Sequence, residues 1–184
     1  AAVYFPDFPA SKDVAKAAAD SFANLYLGEK ADDVSPVKAL ALYSEFQDLE
    51  PAGGRRDQIV RKLIDRLVSV DLLDQATALL EDQVRNHLTG RDKVRGTTQL
   101  ALLRLMNRQA EGALAALDMD VGNDVPADLA RQRQELRARA LTDINKVPDA
   151  LALIENDNSV DAARLRADIY WRQRDWDNAA KVFA

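Results

Sequence analysis

The sequence predicts an all-α chain, an α-solenoid of antiparallel helix pairs, on three observations. Ala, Leu, Arg, Glu, Asp and Gln dominate the 184 residues, and these mostly favour helix. Seven Gly, six Pro and few aromatics argue against a barrel or sandwich of short strands. Alanines recur at one phase: Ala76, Ala113, Ala150 and Ala179 are separated by 37, 37 and 29 residues. A chain of this length is large enough for one domain with a sizeable core.

The formal charge of −5 is unevenly spread. Residues 1–54 hold four Lys against nine acidic residues, whereas 21 basic and 21 acidic residues balance from Arg55 onward. No segment has the basic excess a nucleic-acid binder needs. Without cysteine there is no disulfide framework and no thiolate metal site. No apolar run reaches the roughly 18 residues of a membrane span, and no signal peptide is visible. The ends read as cut from something longer, so targeting signals are expected outside this stretch, and both the cell envelope or periplasm and the cytoplasm stay open.

Residues 1–10 are expected to be an extended lead-in, because Pro6 and Pro9 push the preceding Phe residues out of the α region. A degenerate N-terminal helix pair fills 11–54. Its first helix covers about 12–28 after an N-cap at Ser11, with Val14, Ala17, Ala18, Phe22, Leu25 and Tyr26 as the apolar stripe. Its second begins at Ser35-Pro36 as N-cap and N1 and runs to about Leu49, with Ala39, Leu42, Tyr43 and Phe46 inward. Pro51-Ala-Gly-Gly is the strongest breaker. Four further pairs follow over 55–90, 91–125, 126–157 and 158–184. Their internal links are so short that each pair must be antiparallel.

The repeat extends beyond the alanines. Four residues after them stand Leu80, Leu117, Ile154 and Phe183; three before stand Leu73, Ala110, Val147 and Trp176. On the first helices the close-packing position reads Ile64, Ala101, Ala138 and Ala167. One helix pair cannot bury its own apolar faces, whereas stacked pairs share a core. In LRADIYWRQRDWDNAAKVF, residues 165–183, the small and large positions fall as they do in a tetratricopeptide repeat, and the chain resembles that family. The resemblance implies a right-handed solenoid of about five degenerate units. It departs from the family at the end of each first helix, where the usual Gly is replaced by Asp71, Arg108, Asn145 and Arg174. The stretches PVKALALYSEFQDLEP and RLVSVDLLDQATALLEDQV are similar to the helical regions of large bacterial tetratricopeptide-repeat proteins, which implies a segment of such a protein.

No reaction chemistry is visible. His87 is the only histidine and cannot build a zinc site or a nucleophile–His–acid constellation alone. Asp32-Asp33 and Glu81-Asp82 read as solvated surface. Gly53-Gly54 lacks a phosphate-loop context. Residues 118–124, DMDVGND, lack the register and closing Glu of a calcium loop. Neither an enzyme, a metal nor a cofactor is therefore expected.

The resemblance implies that first helices line a concave groove taking a peptide or helix of another protein. Its positions are Arg61, Asp65 and Gln58 in the first full unit. Arg95, Thr98, Leu102 and Leu105 follow in the second, and Gln132, Glu135 and Arg139 in the third. The last contributes Asp161, Arg164, Asp168 and Trp171. Trp176 is expected in the core. Self-association through the terminal units is the second expectation.

Overall fold

The structure, a computed structural model, describes residues 9–51 and 54–183, with side chains from Asp13 onward. The described residues form ten α-helices and two short 3-10 turns, and no strand. The chain divides into two compact units, Ala1–Leu79 and Leu80–Ala184. The division falls within a helix rather than at the Pro51–Gly54 breaker, because both N-terminal helices pack on the helix after that breaker.

The first unit holds α1 (Pro9–Leu27), α2 (Pro36–Glu45), α3 (Gly54–Ser69) and the start of α4 (Leu73–Asn86). Helix α1 begins at Pro9, so helix replaces the end of the expected lead-in; a proline at the first helical position forfeits no intrahelical bond. Residues 1–8 and the side chain of Ser11 lie outside the described residues. Ser35 caps α2 as expected, accepting from the Lys38 N–H at 3.4 Å. The core gathers Phe22, Tyr26 and Tyr43, with ring centroids 4.9–6.3 Å apart, beside Ile59, Leu63 and Leu67 of α3. Burial pushes the Tyr26 phenol up to about 12, and its hydroxyl donates to the Ala39 carbonyl at 3.1 Å.

Three expected core residues are exposed. Val14 and Ala17 sit on α1 beyond the buried stripe, and Phe46 falls at the C-cap of α2, which stops at Glu45 instead of Leu49. The segment between α1 and α2 is docked rather than loose. Ala31 is buried, Asp32 lies 3.3 Å from Lys62, and Arg66 donates to the Val34 carbonyl.

The second unit holds the rest of α4, then α5 (Gly90–Met106), α6 (Ala110–Leu117), α7 (Ala127–Asp143), α8 (Val147–Ile154), α9 (Val160–Arg172) and α10 (Trp176–Lys181). Helix α5 packs on α6 and α7, α7 on α8 and α9, and α9 on α10; α6 also touches α7, and α8 touches α9. Gly96 lets α5 approach the end of α4, since a Cβ there would stand 2.7 Å from Leu88 and 2.8 Å from Val84.

One turn recurs four times. Asp71, Arg108, Asn145 and Arg174 have φ of 60°, 57°, 62° and 61°, the left-handed region that non-glycine residues rarely enter. They occupy the positions where the sequence lacks the expected glycine. At each, two amides close the preceding helix. Arg108 donates to Leu105 at 3.0 Å and Gln109 to Arg104 at 2.8 Å; Asn145 and Lys146 do the same onto Thr142 and Leu141. Asp71 with Leu72, and Arg174 with Asp175, repeat the pattern. These bonds satisfy carbonyls that a helix end otherwise leaves free.

The next helix starts at once. The amides of Ala76, Ala113, Ala150 and Ala179 donate to Leu72, Gln109, Lys146 and Asp175, closing the first turn. Ala76, Ala113 and Ala150 are fully buried and Ala179 half-buried; Ala101 and Ala138 are fully buried and Ala167 half-buried.

A side chain in the left-handed region costs about 1–2 kcal/mol that glycine does not pay. Arg108→Gly is therefore expected to stabilise the protein in urea unfolding by about 0.5–1 kcal/mol, after allowing for glycine's greater unfolded-state entropy. Arg108→Ala should give no gain, and Asn145→Gly a smaller one, because asparagine tolerates this region better.

Candidate functional site

The second unit presents a cleft of about 540 Å³ lined by α5, α7 and α9. Its floor is apolar: Leu165 and Ile169 are buried, Leu102 and Leu105 half-buried, and Met106 is exposed at one side. The rim carries Arg139, Thr142 and Asp143 from α7, and Asp161, Arg164, Asp168 and Arg172 from α9.

Arginines that do not line the cleft hold its walls. Arg133 on α7 donates to the Leu117 carbonyl at 2.6 Å, and to the Thr97 and Thr98 hydroxyls of α5 at 2.7 and 3.2 Å. It thereby caps α6 and ties α7 to α5. Burial, reinforced by Arg137, lowers its pKa. Arg166 on α9 reaches the Ile154 and Asp157 carbonyls and caps α8 in the same way. A cation at a helix C-terminus also meets the negative end of its dipole. Arg104 bridges the Gly112 carbonyl at 2.7 Å and Glu81. Glu81 is thus not the solvated carboxylate the sequence suggests; hydrogen bonding from Arg85 and the charge of Arg104 hold its pKa down.

The rim charges divide into two groups. Arg172 lies 3.1 Å from Asp143 and 2.9 Å from Asp168, so one guanidinium ties the ends of α7 and α9 together. Arg139 and Arg164, on adjacent helices, have no carboxylate within ion-pair distance among the described residues. Asp161 stands in the first turn of α9, where its charge meets the free amides of its own helix. Glu135, one turn before Arg139, has its pKa raised by burial and by Asp161.

Of the expected groove residues, Leu102, Leu105, Arg139, Asp161, Arg164 and Asp168 meet in this cleft. Arg61 and Asp65 lie exposed on α3 in the first unit. Arg95 is exposed and pairs with Asp92 at 3.6 Å. Thr98 is buried, donating to the Val94 carbonyl at 2.7 Å, because its face of α5 turns to Arg133 instead of solvent. Trp171 does not line the cleft. It is 64% exposed and stands edge-to-face with Trp176, ring centroids 4.6 Å apart.

Trp176, expected in the core, is 51% exposed, and Phe183 is 65% exposed. At the equivalent position in the two preceding pairs Ala110 is buried and Val147 half-buried. The sequence reading missed Met106, Thr142, Asp143, Leu165, Ile169 and Arg172. The i,i+4 spacing of Asp168 and Arg172 was the available signal for the last.

Among the described residues no group of three or more His, Cys, Asp or Glu is placed to hold a metal, and no helix is long and apolar enough to cross a membrane. His87 stands 3.7 Å from Asp82 at the end of α4. Comparison with protein-family models, curated proteins and solved structures returned no match.

A carboxyl whose pKa is raised on folding contributes stability below its unfolded pKa and loses it as pH rises through the folded value. Glu135 is such a group. Glu135→Gln is expected to raise the thermal midpoint at pH 7, and the gain should disappear at pH 3, where the native residue is protonated. A larger gain at pH 3 than at pH 7 would reverse the assignment.

Proposed function

We propose that this chain is a tetratricopeptide-like, right-handed α-solenoid serving as a non-catalytic scaffold, and that a peptide or helix of another protein occupies the cleft of α5, α7 and α9. The observation that carries this reading is the convergence of three first helices on one cleft with an apolar floor and a charged rim. The repeated turns support the solenoid, since three-residue links join the packed pairs α5–α6, α7–α8 and α9–α10 and favour antiparallel helices. A segment from a large bacterial protein of this kind fits the same reading. Selection from a random peptide library should return binders that lose affinity for a Leu102→Asp/Leu105→Asp variant and keep it for Trp171→Ala. Binders indifferent to the aspartates would contradict the cleft as the site.

A second reading, assembly through the last helix pair, is favoured by the exposure of Trp171, Trp176 and Phe183. Aromatics of this size anchor interfaces. Sedimentation velocity over a concentration series should then show self-association that Trp171→Ala/Trp176→Ala abolishes. A strictly monomeric species at high concentration would exclude it.

A further inference from the structure

We infer that the occupant of this cleft is a partner segment with an aliphatic anchor flanked by side-chain carboxylates. This rests on the cleft being the binding site, and it adds the chemistry of what binds. At about 540 Å³ the cleft lies within the range of small-ligand sites, roughly 300–1,000 Å³, so it takes a few residues and not a folded surface. Leu102, Leu105 and Met106 offer a flexible aliphatic floor without an aromatic ring, which suits leucine or methionine.

The charge preference follows from which rim groups are already matched. Asp143 and Asp168 share Arg172. Asp161 sits at a helix N-terminus, which stabilises an anion without a side-chain partner. Arg139 and Arg164 make no ion pair among the described residues, and the one carboxylate that feels Arg139, Glu135 one turn earlier on α7, does not line the cleft. A guanidinium presents a rigid fork of donors that a carboxylate accepts in pairs. A lysine-bearing segment would instead place its charge against both arginines and would find only Asp161 among the cleft's carboxylates outside the Arg172 pairs.

The test uses two fluorescein-labelled, C-terminally amidated peptides. One alternates leucine with glutamate and aspartate; the other carries lysine at every acidic position. Fluorescence anisotropy with the wild-type chain should show the acidic peptide binding at least about tenfold tighter, a difference of about 1.4 kcal/mol. The preference should weaken as salt rises. Arg139→Glu/Arg164→Glu should reverse it, with circular dichroism confirming that this variant keeps its helix content. Leu105→Asp should weaken both peptides.

A lysine peptide that binds tighter, with binding still lost in Leu105→Asp, would overturn the carboxylate preference and leave the cleft as the site. Binding of neither peptide would overturn the inference. Acidic-peptide binding unchanged by all three substitutions would overturn both the inference and the cleft.

Discussion

Three left-handed residues, Arg108, Asn145 and Arg174, set the geometry on which the rest of the second unit depends, and Asp71 repeats the device within the first unit. At each, two backbone hydrogen bonds end one helix, and the next helix begins within three residues. The reversal fixes where the alanine five residues after the left-handed residue falls; Ala76, Ala113 and Ala150 are buried there and Ala179 is half-buried. A larger side chain there would force the helices apart, because cores tolerate added volume poorly. Turn and alanine are thus one device: the turn aims the second helix, and the small side chain lets it close. The cost is local strain at Asp71, Arg108, Asn145 and Arg174, which glycine would remove.

Arginine does two different jobs in this framework. Arg133 and Arg166 spend their donors on the carbonyls that end the eight-residue helices α6 and α8. Helices this short are marginal alone, so the caps help hold the walls on which α7 and α9 present the cleft. Arg139 and Arg164, on the same two helices, carry no such load. The difference is one of facing direction: one face of α7 and α9 meets the preceding helices, the other faces the cleft.

Much of this was legible in the sequence, for identifiable reasons. The period was visible because close helix approach admits few residue types, so alanine marks it. The helix boundaries followed from Ser35-Pro36, Ser159 and the short links. The left-handed turns were less legible, because arginine at such a position carries no signal of its own φ. Trp176 misled because the equivalent Ala110 and Val147 are buried or half-buried, whereas the indole is 51% exposed and stands edge-to-face with Trp171. Thr98 misled because its burial depends on Arg133, thirty-five residues away. Leu102, Leu105, Arg139, Asp161, Arg164 and Asp168 line the cleft at expected groove positions, whereas Arg61, Asp65, Arg95, Thr98 and Trp171 do not. The Arg172 pairing with Asp143 was not legible, since it joins two helices whose rotation no local pattern fixes.

Native-state hydrogen exchange at the turn amides tests the central constraint most directly. Asp71, Leu72, Arg108, Gln109, Asn145, Lys146, Arg174 and Asp175 all donate to carbonyls of the preceding helix. The account predicts that all eight exchange far more slowly than free loop amides, with the Arg108–Gln109 and Asn145–Lys146 turns matching the helices they close. Exchange at unprotected loop rates in those two central turns would contradict it.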